Sequence, residues 1–151
     1  MATVELTKDN FEETVASDGI TLVDFWAAWC GPCRMFGPIY DRVSERHGDV
    51  VFGKVDTEAQ PELAGAFQIS SIPTLMIARD GVVVYSEPGA LPEQALEELI
   101  AKARELDMDD VRRQIAQAQG GQHEHSHQHE HDHEHGEQHE HSQQQEQGAE
   151  A

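Results

Sequence analysis

The spacing of apolar residues changes several times along the chain, and each change marks a structural element. Val4 and Leu6 alternate with polar neighbours and predict a short first strand. Thr7 reads as an N-cap, and Phe11 with Val15 makes an i, i+4 pair, predicting a helix over 8–17 that Asp18-Gly19 ends. Residues 20–26 (Ile-Thr-Leu-Val-Asp-Phe-Trp) are β-branched and aromatic without clean alternation, the pattern of a strand covered on both faces. Met35, Phe36, Ile39, Tyr40 and Val43 then recur at helical spacing up to His47-Gly48. Pro38 falls inside that helix and is predicted to bend it. Residues 49–56 read as a further buried strand, and 61–67 as a short helix with Pro61 in its first turn. Residues 74–78 and 82–85 form a hairpin across Asp80-Gly81. Pro92 opens a last helix whose core face is Leu96, Leu99, Ile100, Ala103 and Leu106.

The predicted order is β-α-β-α-β-α-β-β-α. Alternating strands and helices imply parallel crossovers and the closing hairpin adds an antiparallel edge, so the sheet is mixed and the class α/β. The compact domain spans 1–107. Residues 108–119 are a short helical extension whose only apolar pair is Val111 and Ile115, and Gly120-Gly121 closes it. From residue 120 to 151 the composition turns to His, Glu, Gln, Ser and Gly, which bury too little apolar area to offset ordering entropy. Disorder is expected there.

Charge narrows the range of partners. The formal net charge is −19 and is unevenly placed. Residues 1–107 carry 8 Lys/Arg against 19 Asp/Glu, whereas 123–151 carry eight acids and no Lys/Arg. Such a chain has little with which to neutralise phosphates, which argues against nucleic acid and anionic membrane surfaces. No apolar run approaches the length of a bilayer span. The first residues lack a basic n-region and an apolar h-region, so no secretory signal and a cytoplasmic location are expected.

The two cysteines of the chain, Cys30 and Cys33, sit where the buried strand gives way to the helix. In a reducing compartment such a pair is redox-active or metal-binding rather than a structural staple. A helix start supplies unpaired N–H groups and the positive end of the dipole, both of which favour a thiolate at Cys30. Cys33, one turn on, is within reach to resolve a mixed disulfide at Cys30. Gly31 permits a tight entry and Pro32 suits the first turn. The competing reading is half a zinc site, but no second Cys-x-x-Cys or Cys-x-x-His supplies the other ligands.

Five stretches in order resemble the thioredoxin family: Val23-Asp24-Phe25-Trp26-Ala27, Trp29-Cys30-Gly31-Pro32-Cys33, Lys54-Val55-Asp56, Ser71-Ile72-Pro73-Thr74 and Gly89-Ala90. The resemblance covers about residues 3–106. It implies a thioredoxin fold, with a five-stranded mixed sheet flanked by four helices, acting as a protein-disulfide reductase. It also implies recharging by a flavin-dependent thioredoxin reductase, disulfide-containing client proteins, a monomer and no cofactor in the domain. By resemblance Asp24 is the general acid/base that takes the proton of Cys33, and Lys54 lies near it and tunes its titration. The bland readings are an edge-strand aspartate and a lysine that snorkels to solvent. The resemblance also implies a cis bond before Pro73 and a substrate groove of Trp29, Gly31, Pro32, Ile72, Pro73, Gly89 and Ala90. Two departures stand out: Arg34 replaces a common Lys, and Pro88 removes a backbone donor beside the groove. His47 reads as structural, at a helix C-terminus that suits it.

The tail suggests separate chemistry. His123, His125, His127, His129, His131, His133, His135, His139 and His141 alternate with mainly acidic or amide residues. Imidazole suits nickel, zinc and copper, and neighbouring carboxylates favour cation approach. Solubilising low complexity and an expression tag are the other readings of the same tract. A metal-buffering or metal-delivery protein on a thioredoxin scaffold is therefore the alternative function.

Overall fold

The computed structural model describes residues 2–125, with side chains to residue 120. The predicted disorder from residue 126 onward, and His127 to His141 with it, lie outside the described residues. Ten elements follow in order: β1 (Thr3–Glu5), α1 (Phe11–Ala16), β2 (Ile20–Trp26), α2 (Gly31–Arg46), β3 (Val51–Asp56), α3 (Pro61–Ala66), β4 (Thr74–Arg79), β5 (Val82–Pro88), α4 (Glu93–Glu105) and α5 (Met108–His125). The contacts divide the chain into a compact unit, Met1–Val111, and a second unit, Arg112–Ala151.

The strands form one sheet in the order β1-β3-β2-β4-β5. β1 and β2 run parallel to β3, whereas β4 is antiparallel to both β2 and β5. β2 is thus the middle strand, and it is buried along nearly its whole length. That explains its lack of alternation: both faces meet apolar layers. One layer holds Ile20, Leu22 and Phe52 from the sheet against Phe36, Tyr40 and Val43 of α2 and Leu96, Ile100 and Ala103 of α4. The other joins Val23, Phe25, Val55 and Met76 to Phe11 and Val15 of α1. Even-numbered positions of β2 therefore face α2 and α4, and odd-numbered ones face α1.

Several sequence readings need correction. Met35, counted in the apolar repeat of α2, is 73% exposed; Phe36, Tyr40 and Val43 carry the core face without it. Leu106 is only partly buried. Helix α1 begins at Phe11 rather than residue 8. Thr7 is not its N-cap, because Asn10 occupies that position and its Oδ1 accepts from the Thr7 N–H at 2.7 Å. The returning strand β5 runs three residues beyond Tyr85, pairing Pro88 with Thr74. The helical extension expected over 108–119 forms as α5, but it passes through Gly120-Gly121 to His125 rather than closing there. Gly120 does not take the left-handed φ with which a glycine ends a helix, so it costs entropy without acting as a stop. The start of α5 is well marked, since Asp107 Oδ1 accepts from the N–H groups of Asp109 and Asp110. Helix α2 runs through Pro38 to Arg46, in keeping with the helical spacing read up to His47.

Candidate active site

The site lies where β2 ends and α2 begins. Cys30 is the N-cap residue of α2, with extended backbone, and its Sγ accepts from the Cys33 N–H at 3.2 Å. A sulfur thus occupies the position where Ser or Asp commonly satisfies an orphan N–H. Cys30 and Cys33 are joined as a disulfide with Cα atoms 5.2 Å apart, and both are buried, packed with Ala27, Trp26 and Ile72. Gly31 and Pro32 cover the start of the helix and are exposed.

Two loops from the far side of the sheet reach the same end. The Ile72–Pro73 bond is cis, as the resemblance implied, and Pro73 is buried. The Ile72 carbonyl oxygen lies 3.6 Å from Cys30 Sγ. Gly89, at φ +118°, donates its N–H to the Pro73 carbonyl at 2.8 Å. That φ is open to glycine and strained for other residues, so the identity of residue 89 follows from the turn. Pro88 ends an edge strand, where a missing donor leaves no gap inside the sheet. Ala90 is exposed beside Gly89. Trp29 is 67% exposed, held by its Nε1–H donating to Glu58 Oε1 at 2.8 Å. Trp29, Gly31, Pro32, Ile72, Pro73, Gly89 and Ala90 are brought to one end of the fold.

Asp24 is 1% exposed in the middle strand, which disposes of the edge-strand reading. Neither carboxyl oxygen has a hydrogen-bond partner among the described residues. Burial raises its pKa from 3.8 to about 7, with Lys54 pulling it down and Asp41 pushing it up. Lys54 is the register partner of Asp24 across β2 and β3. Its Nζ sits 5.2 Å above the Trp26 ring, so the ammonium serves both the aromatic face and the carboxylate. Tyr40 donates to the Gly53 carbonyl at 2.8 Å, and burial pushes its hydroxyl well up, reinforced by Asp24 and Asp41.

Two residues near the dithiol escaped the sequence reading. Glu58 sits in a loop with no local signal. Asp41 was legible in principle, lying two helical turns beyond Cys33 at four-residue spacing. His47 is at the opposite end of α2, where its Nδ1 accepts from Arg104 and its Nε2 meets Glu97 at 2.6 Å. Among the described residues no group of three or more His, Cys, Asp or Glu is placed to hold a metal ion. No described helix is long and apolar enough to cross a membrane.

The thioredoxin family model matches residues 2–102. The chain belongs to the thioredoxin family. Among its relatives, a putative thioredoxin 2 of Streptomyces coelicolor is 62% identical over 122 residues, covering 80% of this chain and 91% of that protein. The thioredoxin of Bacillus subtilis is 41% identical over 103 residues, 68% of this chain and 98% of its own. The likeness to the Streptomyces protein thus runs further than the family domain. Among solved structures, the thioredoxin of Malassezia sympodialis superposes with a TM-score of 0.61 at 32% identity, covering 68% of this chain and 92% of that one. The five-stranded mixed sheet is accordingly a thioredoxin fold, and with its Cys-x-x-Cys pair the protein is a thiol–disulfide oxidoreductase of the thioredoxin type.

Proposed function

We propose that this thioredoxin reduces disulfides in client proteins with Cys30 as nucleophile and Cys33 as resolving thiol. The observation that carries the reading is the seat of Cys30 at the N-cap of α2, its sulfur already accepting the Cys33 N–H. A thiolate there gains from the orphan N–H groups and the helix dipole. The Cys30 thiolate attacks a client disulfide, forming a mixed disulfide while one client sulfur leaves as thiolate and takes up a proton. Cys33 gives its proton to Asp24 and attacks Cys30 Sγ; the second client sulfur leaves and is protonated in turn. Two electrons have then passed to the client, and the Cys30–Cys33 bond is closed.

Asp24 suits the proton step because its pKa of about 7 lets it hold or release a proton near neutral pH. Lys54 tunes that value from β3. Trp29, Gly31, Pro32, Ile72, Pro73, Gly89 and Ala90 form the groove for an extended client segment, with main-chain pairing along the Ile72–Pro73 loop. A thioredoxin reductase reopens the disulfide. The redox unit is a monomeric domain of residues 1–107 acting in the cytoplasm, where a dithiol is kept reduced.

Insulin reduction coupled to a thioredoxin reductase tests the assignment. Cys30→Ser is expected to lose turnover entirely, and Cys33→Ser to hold the client as a trapped mixed disulfide on denaturing gels. An undiminished rate in Cys30→Ser would overturn the reading. The histidine tail supports a second, separable activity, the binding of nickel, zinc or copper by residues 123–141, on the strength of its alternating His and acidic composition.

A further inference from the structure

As the base for Cys33, Asp24 has to exchange protons, yet it is 1% exposed. The route out is written in the face of α2 that covers it. Leu22, Asp24 and Trp26 alternate on the sheet face packed by α2, and Lys54 joins them in register from β3. On α2 itself, Cys33, Gly37 and Asp41 are spaced by four residues and so share one side of the helix. A Cβ at Gly37 would meet nothing within 4 Å, so the absent side chain leaves that side open. Between helix and sheet lies a recess of about 240 Å³ lined by Trp26, Cys33, Gly37, Asp41 and Lys54 among others. At roughly 30 Å³ of liquid volume per molecule it has room for several waters.

Asp41 stands at this recess in an unusual state. Its Oδ1 is buried with no hydrogen-bond partner among the described residues, while the residue as a whole is half-buried. A carboxylate oxygen facing inward without a donor is costly unless it meets water or a proton. The groups acting on Asp24 are Lys54 from β3 and Asp41 and Tyr40 from α2, with Arg34 on the rim of the recess.

We propose that Asp41 is a positioning residue of the redox cycle, the outer carboxylate through which Asp24 trades its proton with bulk water. The inference rests on the reading of Asp24 as the base for Cys33. When Cys33 attacks Cys30, its electron pair forms the Cys30–Cys33 bond, the bond from Cys30 to the client breaks, and the proton passes to Asp24. Water in the recess then carries that proton past Gly37 to Asp41 and out, leaving Asp24 ionised for the next turnover.

The test combines Asp41→Asn, Asp41→Glu, Gly37→Leu and Asp24→Asn, read by two measurements. NMR titration follows the Asp24 carboxyl in the reduced protein, and stopped-flow single turnover follows client release as a function of pH. Asp41→Asn is expected to move the Asp24 midpoint to lower pH and slow release at pH 7 about three- to tenfold, below the ~10²-fold or more of a direct general base. Asp41→Glu should restore both. Gly37→Leu, which fills the recess, should slow release to a similar extent. If Asp41→Asn keeps the wild-type midpoint and rate while Asp24→Asn slows release, the relay is wrong and the base assignment survives. If Asp24→Asn itself releases client at the wild-type rate, both fail.

Discussion

A carboxyl with no hydrogen-bond partner among the described residues, set in the middle strand on the face it shares with Leu22 and Trp26, makes Asp24 a stability liability. Its folded-state pKa of about 7 lies above the ordinary 3.8, so the sign is that of a group penalised when charged. Below pH 3.8 both states hold the proton and the penalty is absent. Between 3.8 and 7 the unfolded chain ionises first and folding weakens; above 7 the loss is constant. Moving a carboxyl over that interval corresponds to on the order of 4 kcal/mol. Asp24→Asn is therefore expected to raise stability by about 2–4 kcal/mol at pH 8 and by little at pH 4, measured by urea unfolding. An equal gain at both pH values would show that ionisation is not the cause. At this scale much was legible. An aspartate in an apolar run announces itself by contrast, and Pro73 and Gly89 stand in recognisable company. Met35 was misread because helical spacing yields a stripe of candidate positions without saying where its edge falls. Asp41 was passed over because an acid on an amphipathic helix looks like solvent-facing polarity until the missing side chain at Gly37 is noticed.

Elements were legible wherever local chemistry and burial agree. The order of strands and helices in the domain follows from period changes and turn residues, including Asp80-Gly81, both with positive φ. The failures lie at element ends, where a single N–H or carbonyl decides the outcome. Thr7 and Asn10 are equally plausible caps in sequence, and the fold chose Asn10. Gly120-Gly121 looked like a stop because glycine often ends helices, but only in a left-handed conformation. One element contact has a sharp consequence. The Leu6 side chain, just past β1, lies so close over β3 that a Cβ on Gly53 would overlap its Cδ1 and stand 3.3 Å from the Leu22 carbonyl oxygen of β2. Leu6 is fully buried and has nowhere to swing. Gly53→Ala should cost about 1–3 kcal/mol in urea unfolding, and the loss should be partly relieved in the pair with Leu6→Ala. Simple additivity of the two single losses would remove the steric account.

On the scale of the whole molecule, charge and tail set behaviour that no single element does. The net charge of −19 favours clients with basic or neutral docking faces, and it makes association with them sensitive to salt. The tail adds nine histidines to eight acids, so acidification takes residues 123–151 from strongly negative towards neutral. Equilibrium dialysis with nickel or zinc should show several metal ions bound by the full chain and a loss of that uptake when residues 120–151 are deleted. Insulin reduction by the shortened protein should persist. Unchanged metal stoichiometry after the deletion would show that the histidines are not the binder. None of this second chemistry is legible from the fold, because low-complexity sequence carries composition rather than a packing pattern.

Arg79 gives this arrangement a direction. It ends β4, opposite Ile20 at the start of β2, and its guanidinium donates to the carbonyls of Ala103, Arg104 and Leu106 where α4 stops. The dithiol follows the other end of β2, six strand residues and roughly 20 Å away along the sheet. Arg79 therefore works as a mooring. It ties the end of α4 to the end of the sheet away from the dithiol, so Arg79→Ala is expected to loosen the end of α4 in hydrogen exchange and leave the surroundings of Cys30 unchanged.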